Sequence, residues 1–85
     1  MNIRYDAVAD AAYIRLSDAS GSRTEEESDV CILDFDTDGT LVAIELLSVF
    51  GFAGASLQSL VRRGLMSQGE ADSLLAELRS DLVPV

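Results

Sequence analysis

No histidine, lysine or tryptophan occurs in this chain, and it has only one cysteine and one proline. Each absence excludes something. Without histidine, the usual general base near neutral pH is missing. One cysteine cannot form an internal disulfide, and a zinc site needs several Cys or His ligands. No run of about 18 apolar residues is present, so no segment reads as a membrane-spanning helix. The opening MNIRYDAVAD lacks the basic-then-apolar layout of a signal peptide, and together with the lone thiol this predicts a cytoplasmic protein. With no lysine, six arginines stand against fifteen acids, a net charge of −9. Residues 1–50 hold eleven of the acids and three of the arginines, which leaves −8 there and −1 in the remainder. Such a field repels a phosphate backbone, so nucleic acid is a poor partner and a basic protein a better one.

What is present is a single small domain of 85 residues, of which 48% are hydrophobic. A chain of this size buries only about 60–65% of the surface its unfolded form exposes. Burial between subunits would add stability, so a homodimer or higher oligomer is expected. The chain divides near Val49, into a β-meander over 1–49 and a helical hairpin over 50–85. In the first part IRYD, AAYIRLS, VCILDFD and LVAIELL read as strands, with RTEEESD an acidic lead into the third. Short connections favour an antiparallel meander of four strands. In the second part Leu57, Leu60 and Val61 fall on one helical face, and Gly64 stands where a C-terminal cap belongs. SQGE (Ser67–Glu70) is a capping box, Ala71, Leu74, Leu75 and Leu78 form a second stripe, and Pro84 stops the helix. The expected fold is α+β: a four-stranded antiparallel meander with a C-terminal α-helical hairpin packed on one face or on a second subunit.

DFDTDGTLVAIE (Asp34–Glu45) matches the calcium-loop pattern D-x-D-x-D-G-x5-E at Asp34, Asp36, Asp38, Gly39 and Glu45. A calcium loop of that type needs a helix on either side. The entering residues here prefer a strand, and Asp38-Gly39 between apolar runs is a strong hairpin signal. A two-residue turn there pairs Thr37 with Thr40, Phe35 with Val42, Leu33 with Ile44 and Cys31 with Leu46, all on one face. A three-residue turn would slip this register and bring charges into the core. Glu45 then faces Ile32, about 20 Å from the turn tip at a strand rise of about 3.4 Å per residue. Asp34, Asp36 and Asp38 remain as candidates for weak divalent-metal binding at the turn, and no other cofactor is expected.

The stretches YDAVADAAYIRLS (5–17) and RTEEESDVCILDFDTDGTLVAIELL (23–47) resemble, in order and spacing, the small bacterial domain-of-unknown-function family two-two-eight-three (YuzE-like). The resemblance covers about half the chain and implies a β-meander that uses DFDTDG as a hairpin. It carries no catalytic residues. Some members sit beside small toxin-like proteins, which implies an antitoxin or partner-neutralising role as one reading. The segment LVRRGLMSQGEADSLLAEL also resembles, less specifically, a short bihelical motif at the C-terminus of many bacterial proteins.

Three functions are compatible with these residues. The favoured one is a non-enzymatic protein-binding or regulatory module. Its candidate partner-facing residues are Tyr13 and Arg15, which share the strand face away from Ala12, Ile14 and Leu16, and the acidic run Glu25, Glu26 and Glu27. The second is metal binding by Asp34, Asp36 and Asp38. The third is an enzyme that uses carboxylates with Tyr and Arg in a groove. Cys31, between Val30 and Ile32, reads as a buried thiol rather than a nucleophile. Asp6 and Asp10 flank a tight loop and are expected to cap its backbone N–H groups.

Overall fold

The computed structural model describes the backbone of residues 2–82 and the side chains of residues 2–80; Pro84, read as a helix stop, lies outside the described residues. Five strands and two helices follow one another: β1 (Asn2–Asp6), β2 (Ala11–Arg15), β3 (Arg23–Ser28), β4 (Cys31–Phe35), β5 (Leu41–Leu47), α1 (Val49–Arg62) and α2 (Gln68–Leu82). The strands form one antiparallel sheet in the order β1-β2-β5-β4-β3.

The α+β class holds, but the four-stranded meander does not. RTEEES is not a lead-in; it is an edge strand of its own. Its inward positions are Arg23, Glu25 and Glu27, paired with or flanking the register partners Phe35 and Leu33, so it shows no apolar alternation to reveal it. The connection Leu16–Ser22 carries the chain from β2 to the far edge, with Leu16 N–H donating to Val42 O (2.9 Å) and Ser22 N–H to Phe35 O (2.7 Å). β5 thereby becomes the central strand, between β2 and β4.

The hairpin register holds away from the turn, with Cys31 opposite Leu46, Ile32 opposite Glu45 and Leu33 opposite Ile44. The two-residue turn is corrected. Asp36 N–H bonds Thr40 O at 2.9 Å, Gly39 N–H bonds Asp36 O at 3.1 Å, and Gly39 takes φ +81°. This is a three-residue loop, Thr37 to Gly39, closed by Asp36 and Thr40. It slips the pairing by one residue, so Phe35 faces Leu41 rather than Val42. A bulge between Asp34 and Phe35 in the same ladder then removes the slip, and Asp34 faces Ala43. Two irregularities cancel, which keeps the charges out of the core and places Leu41 in it.

Both helices cover the same face of the sheet. Val49, Ala53, Leu57 and Leu60 of α1, with Ala71, Leu74 and Leu78 of α2, bury against Ala12, Ile14, Cys31, Leu33, Phe35, Ile44 and Leu46. Val61 and Leu75 are half-buried at its margin. α1 ends as the sequence predicts: Gly64 has φ +74°, Leu65 N–H reaches Leu60 O and Gly64 N–H reaches Val61 O, each at 3.0 Å. That pair of bonds is a Schellman cap. α2 begins on the predicted capping box, with Glu70 N–H on Ser67 Oγ (3.1 Å) and Ser67 N–H on Glu70 Oε1 (3.0 Å). Among the described residues no helix is long and apolar enough to cross a membrane.

Candidate interaction surfaces

α1 starts eight residues before Leu57, the first residue of the apolar stripe that announces it. Its cap residue Ser48 lies in the left-handed region (φ 50°, ψ 51°) and makes no side-chain capping bond. Asp10, from the β1–β2 turn, does that work instead. Its backbone oxygen accepts from Val49 N–H at 3.1 Å, and both carboxylate oxygens lie 3.2 Å from Phe50 N. The Tyr5 hydroxyl donates to Asp10 Oδ1 at 2.8 Å, and this bond to a carboxylate raises the Tyr5 pKa above its ordinary value. A carboxylate at the positive end of a helix is favoured electrostatically as well as by hydrogen bonding. Asp6 caps its own turn as expected, accepting from Val8 and Ala9 N–H. Asp10 caps a helix rather than its own turn, a role that only the tertiary fold reveals.

This clamp fixes one end of the molecule, where the β1–β2 turn, the β3–β4 turn and the start of α1 meet. Three of the four large apolar side chains exposed among the described residues belong to these segments: Val8 (99%) to the β1–β2 turn, and Phe50 (82%) and Phe52 (53%) to the first turn of α1. Phe52 also forms a wall of an open groove of about 460 Å³ between α1 and the β3–β4 turn, with Val30, Ala55 and Ser56 beside it and Glu27 and Asp29 on its rim. Residues 6–10, 28–30 and 47–52 carry three acids and no arginine. The surface is therefore apolar with an acidic margin.

The expected partner residues do not form one patch. Glu25 and Glu27 point to the helix side of β3, where both carboxylates pair with Arg63 at the end of α1. The Arg63–Glu25 contact is 2.7 Å, and Glu27 also accepts from Ser59 Oγ at 3.0 Å. Arg63 holds the Glu25 carboxyl below its usual range, and the two glutamates raise the Arg63 pKa. Arg23 reaches Glu25 at 3.5 Å and lies over the Phe35 ring, 4.4 Å from its centroid. Glu26 points the other way, opposite Ile32 on the face without helices. Tyr13 and Arg15 lie on that open face too, but on β2, with β5 and β4 intervening. They do meet each other: Arg15 Nη1 donates to the Tyr13 hydroxyl at 3.1 Å.

The three aspartates of the turn are also separated. Asp34 accepts from Thr24 Oγ1 across the β3–β4 pair at 2.9 Å. Asp36 folds back to accept from Asp38 N–H and Thr40 N–H, both at 2.9 Å. Asp38 is exposed. Among the described residues, no group of three or more His, Cys, Asp or Glu side chains is arranged to hold a metal ion. Cys31 is fully buried, and burial pushes its thiol up to about 11.

Phe50 and Phe52 were missed in the sequence because glycines at 51 and 54 interrupt the helical pattern around them. The signal was there, in two aromatic residues next to no partner stripe. No curated protein and no solved structure matches the chain significantly. A family model described as a protein of unknown function (DUF2283) matches residues 2–49, more than half of the chain. The match runs from the first residue of β1 to the first residue of α1, so it contains Tyr5 and Asp10 and stops where they clamp the helix. The chain belongs to the DUF2283 family.

Proposed function

We propose that this protein is a non-enzymatic protein-binding module whose recognition surface is the apolar end formed by Val8, Phe50 and Phe52. The observation that carries this reading is the exposure of those side chains on two segments that Asp10 joins. Exposed aromatic residues on a rigid support are the usual anchors of protein recognition. A small chain with a filled core has no packing reason to leave two phenylalanines in water. The acids around them suit a basic partner, since like charges across an interface oppose association. An antitoxin-like protein that neutralises a small basic partner is the regulatory form of this reading.

Several of the carboxylates that an acid–base enzyme could use are engaged structurally. Glu25 and Glu27 hold Arg63, Asp34 holds Thr24, Asp36 holds its own turn and Asp10 holds α1. This favours binding over catalysis. The test is affinity capture from a native lysate with the wild-type chain and with Phe50→Ser/Phe52→Ser. A partner recovered by the wild type and lost by the variant, at matched melting temperature, is the expected outcome. Equal recovery by both chains would remove this surface from the account.

A further inference from the structure

The open face of the β1–β2 hairpin carries a cluster that the protein-binding surface does not use. Asn2 pairs with Arg15 and Arg4 with Tyr13 in the strand register, so the two arginines stand diagonally across the strand pair. These four side chains line a hollow of about 180 Å³, and no carboxylate lies in its wall. In a chain of fifteen acids and six arginines, that local balance is the reverse of the whole.

The donors are also oriented. Arg15 is held by Nη1 on the Tyr13 hydroxyl (3.1 Å) and by Nη2 on the Ala19 carbonyl (3.0 Å). The Tyr13 oxygen accepts that first bond, so its own proton is left for another acceptor. Arg15 retains further N–H donors, and no described carboxylate pairs with Arg4. Glu45, which faces Tyr13 from β5, and Asp6 line an adjoining hollow that shares Arg4 and Tyr13, and Asp18 lines another beside Arg15. These acids oppose any anion held by charge alone, so a ligand must also fit the donors. Guanidinium forks match carboxylate and phosphate oxygens in pairs, with the charge-assisted bonds that such recognition needs.

We infer that this hollow binds an oxyanion, a phosphate or a carboxylate, gripped by Arg4 and Arg15 with Tyr13 and Asn2 as neutral donors. The site is independent of the Phe50/Phe52 surface and stands or falls separately from it. The experiment is an amide-resolved NMR titration of the full chain with sodium phosphate, sodium acetate and sodium chloride at matched ionic strength. Saturable shifts at residues 2–4 and 13–15 with phosphate, acetate or both, and none with chloride, are expected, and the anion that binds identifies the source. Arg4→Gln and Arg15→Gln should each weaken binding about tenfold. Arg4→Gln is the cleaner variant, because Arg15 also holds the loop at Ala19. Arg62→Gln, an exposed arginine on α1, should leave the affinity unchanged. Shifts that chloride reproduces, or affinity that survives both hairpin substitutions, would overturn the assignment.

Discussion

Asp10 shows how much one side chain can join. Its carboxylate receives Phe50 N–H and the Tyr5 hydroxyl, and its backbone oxygen receives Val49 N–H. Its own φ is 50°, in the left-handed region that Asp and Asn tolerate better than most residues. Asp10→Ala loses the cap and meets backbone strain, and a loss of about 2 kcal/mol in urea unfolding is expected. Asp10→Asn keeps both the geometry and an acceptor, so it should lie within about 1 kcal/mol of the wild type. Gly39 offers a contrasting case. Its φ is +81°, and nothing lies within 4 Å of an added Cβ, so Gly39→Ala tests backbone strain alone. A cost of about 1–2 kcal/mol is expected from the same unfolding measurement. A smaller effect would mean that the turn relaxes. Glu70 links the capping box to pH. Its bonds to Ser67 hold its pKa below 4.5, so the stability it contributes is complete above pH 4.5 and is lost as pH falls through the lowered value. Glu70→Gln removes the titration. Its melting temperature should lie below that of the wild type at pH 7, and the two should converge in acid.

At the scale of elements, legibility follows burial. The capping box at Ser67–Glu70, the Gly64 cap and the Leu57–Leu60 stripe were readable because each is a local rule that the tertiary structure does not override. The pairing of β4 with β5 was readable because one face had to collect Cys31, Leu33, Ile44 and Leu46. Its turn was not, because a three-residue loop and a bulge cancel in the register and leave no mark on the apolar pattern. β3 was hidden for a different reason. Its inward side chains are charged, Glu25 and Glu27 meeting Arg63 and Arg23 lying over Phe35, so the strand forms without apolar alternation. β3 has a neighbour on one side only, and Arg63, with Ser59, ties it to the α1 end. Arg63→Ala should therefore speed amide exchange at Glu25 to Ser28 in hydrogen-exchange mass spectrometry, while Leu33 and Ile44 stay protected. Uniform protection across β3 and β5 in that variant would show that backbone pairing alone secures the edge.

The whole molecule has one covered sheet face, one open face and one apolar end. The helices fill the first, and Ala43 shows that part of the second is shielded as well. It points to the open face between Arg15 and Asp34 yet is fully buried. The crossing connection explains this, since Arg15 holds Ala19 and Gly21 lies against Asp34. Among the described residues, only the end with Val8, Phe50 and Phe52 combines an exposure above one half with large apolar side chains. Of the candidate partner residues read from the sequence, Glu25 and Glu27 pair with Arg63 within the fold. The anchors proposed above are instead aromatic residues in a segment that reads as a junction in the sequence. Site-specific photo-crosslinking in the native cell addresses this claim most directly. A photoreactive residue is placed at position 52 and, in a separate chain, at exposed Glu77 on α2. A discrete adduct with one protein from position 52, absent from position 77, is the predicted result. No adduct from position 52, or the same adducts from both positions, would contradict it.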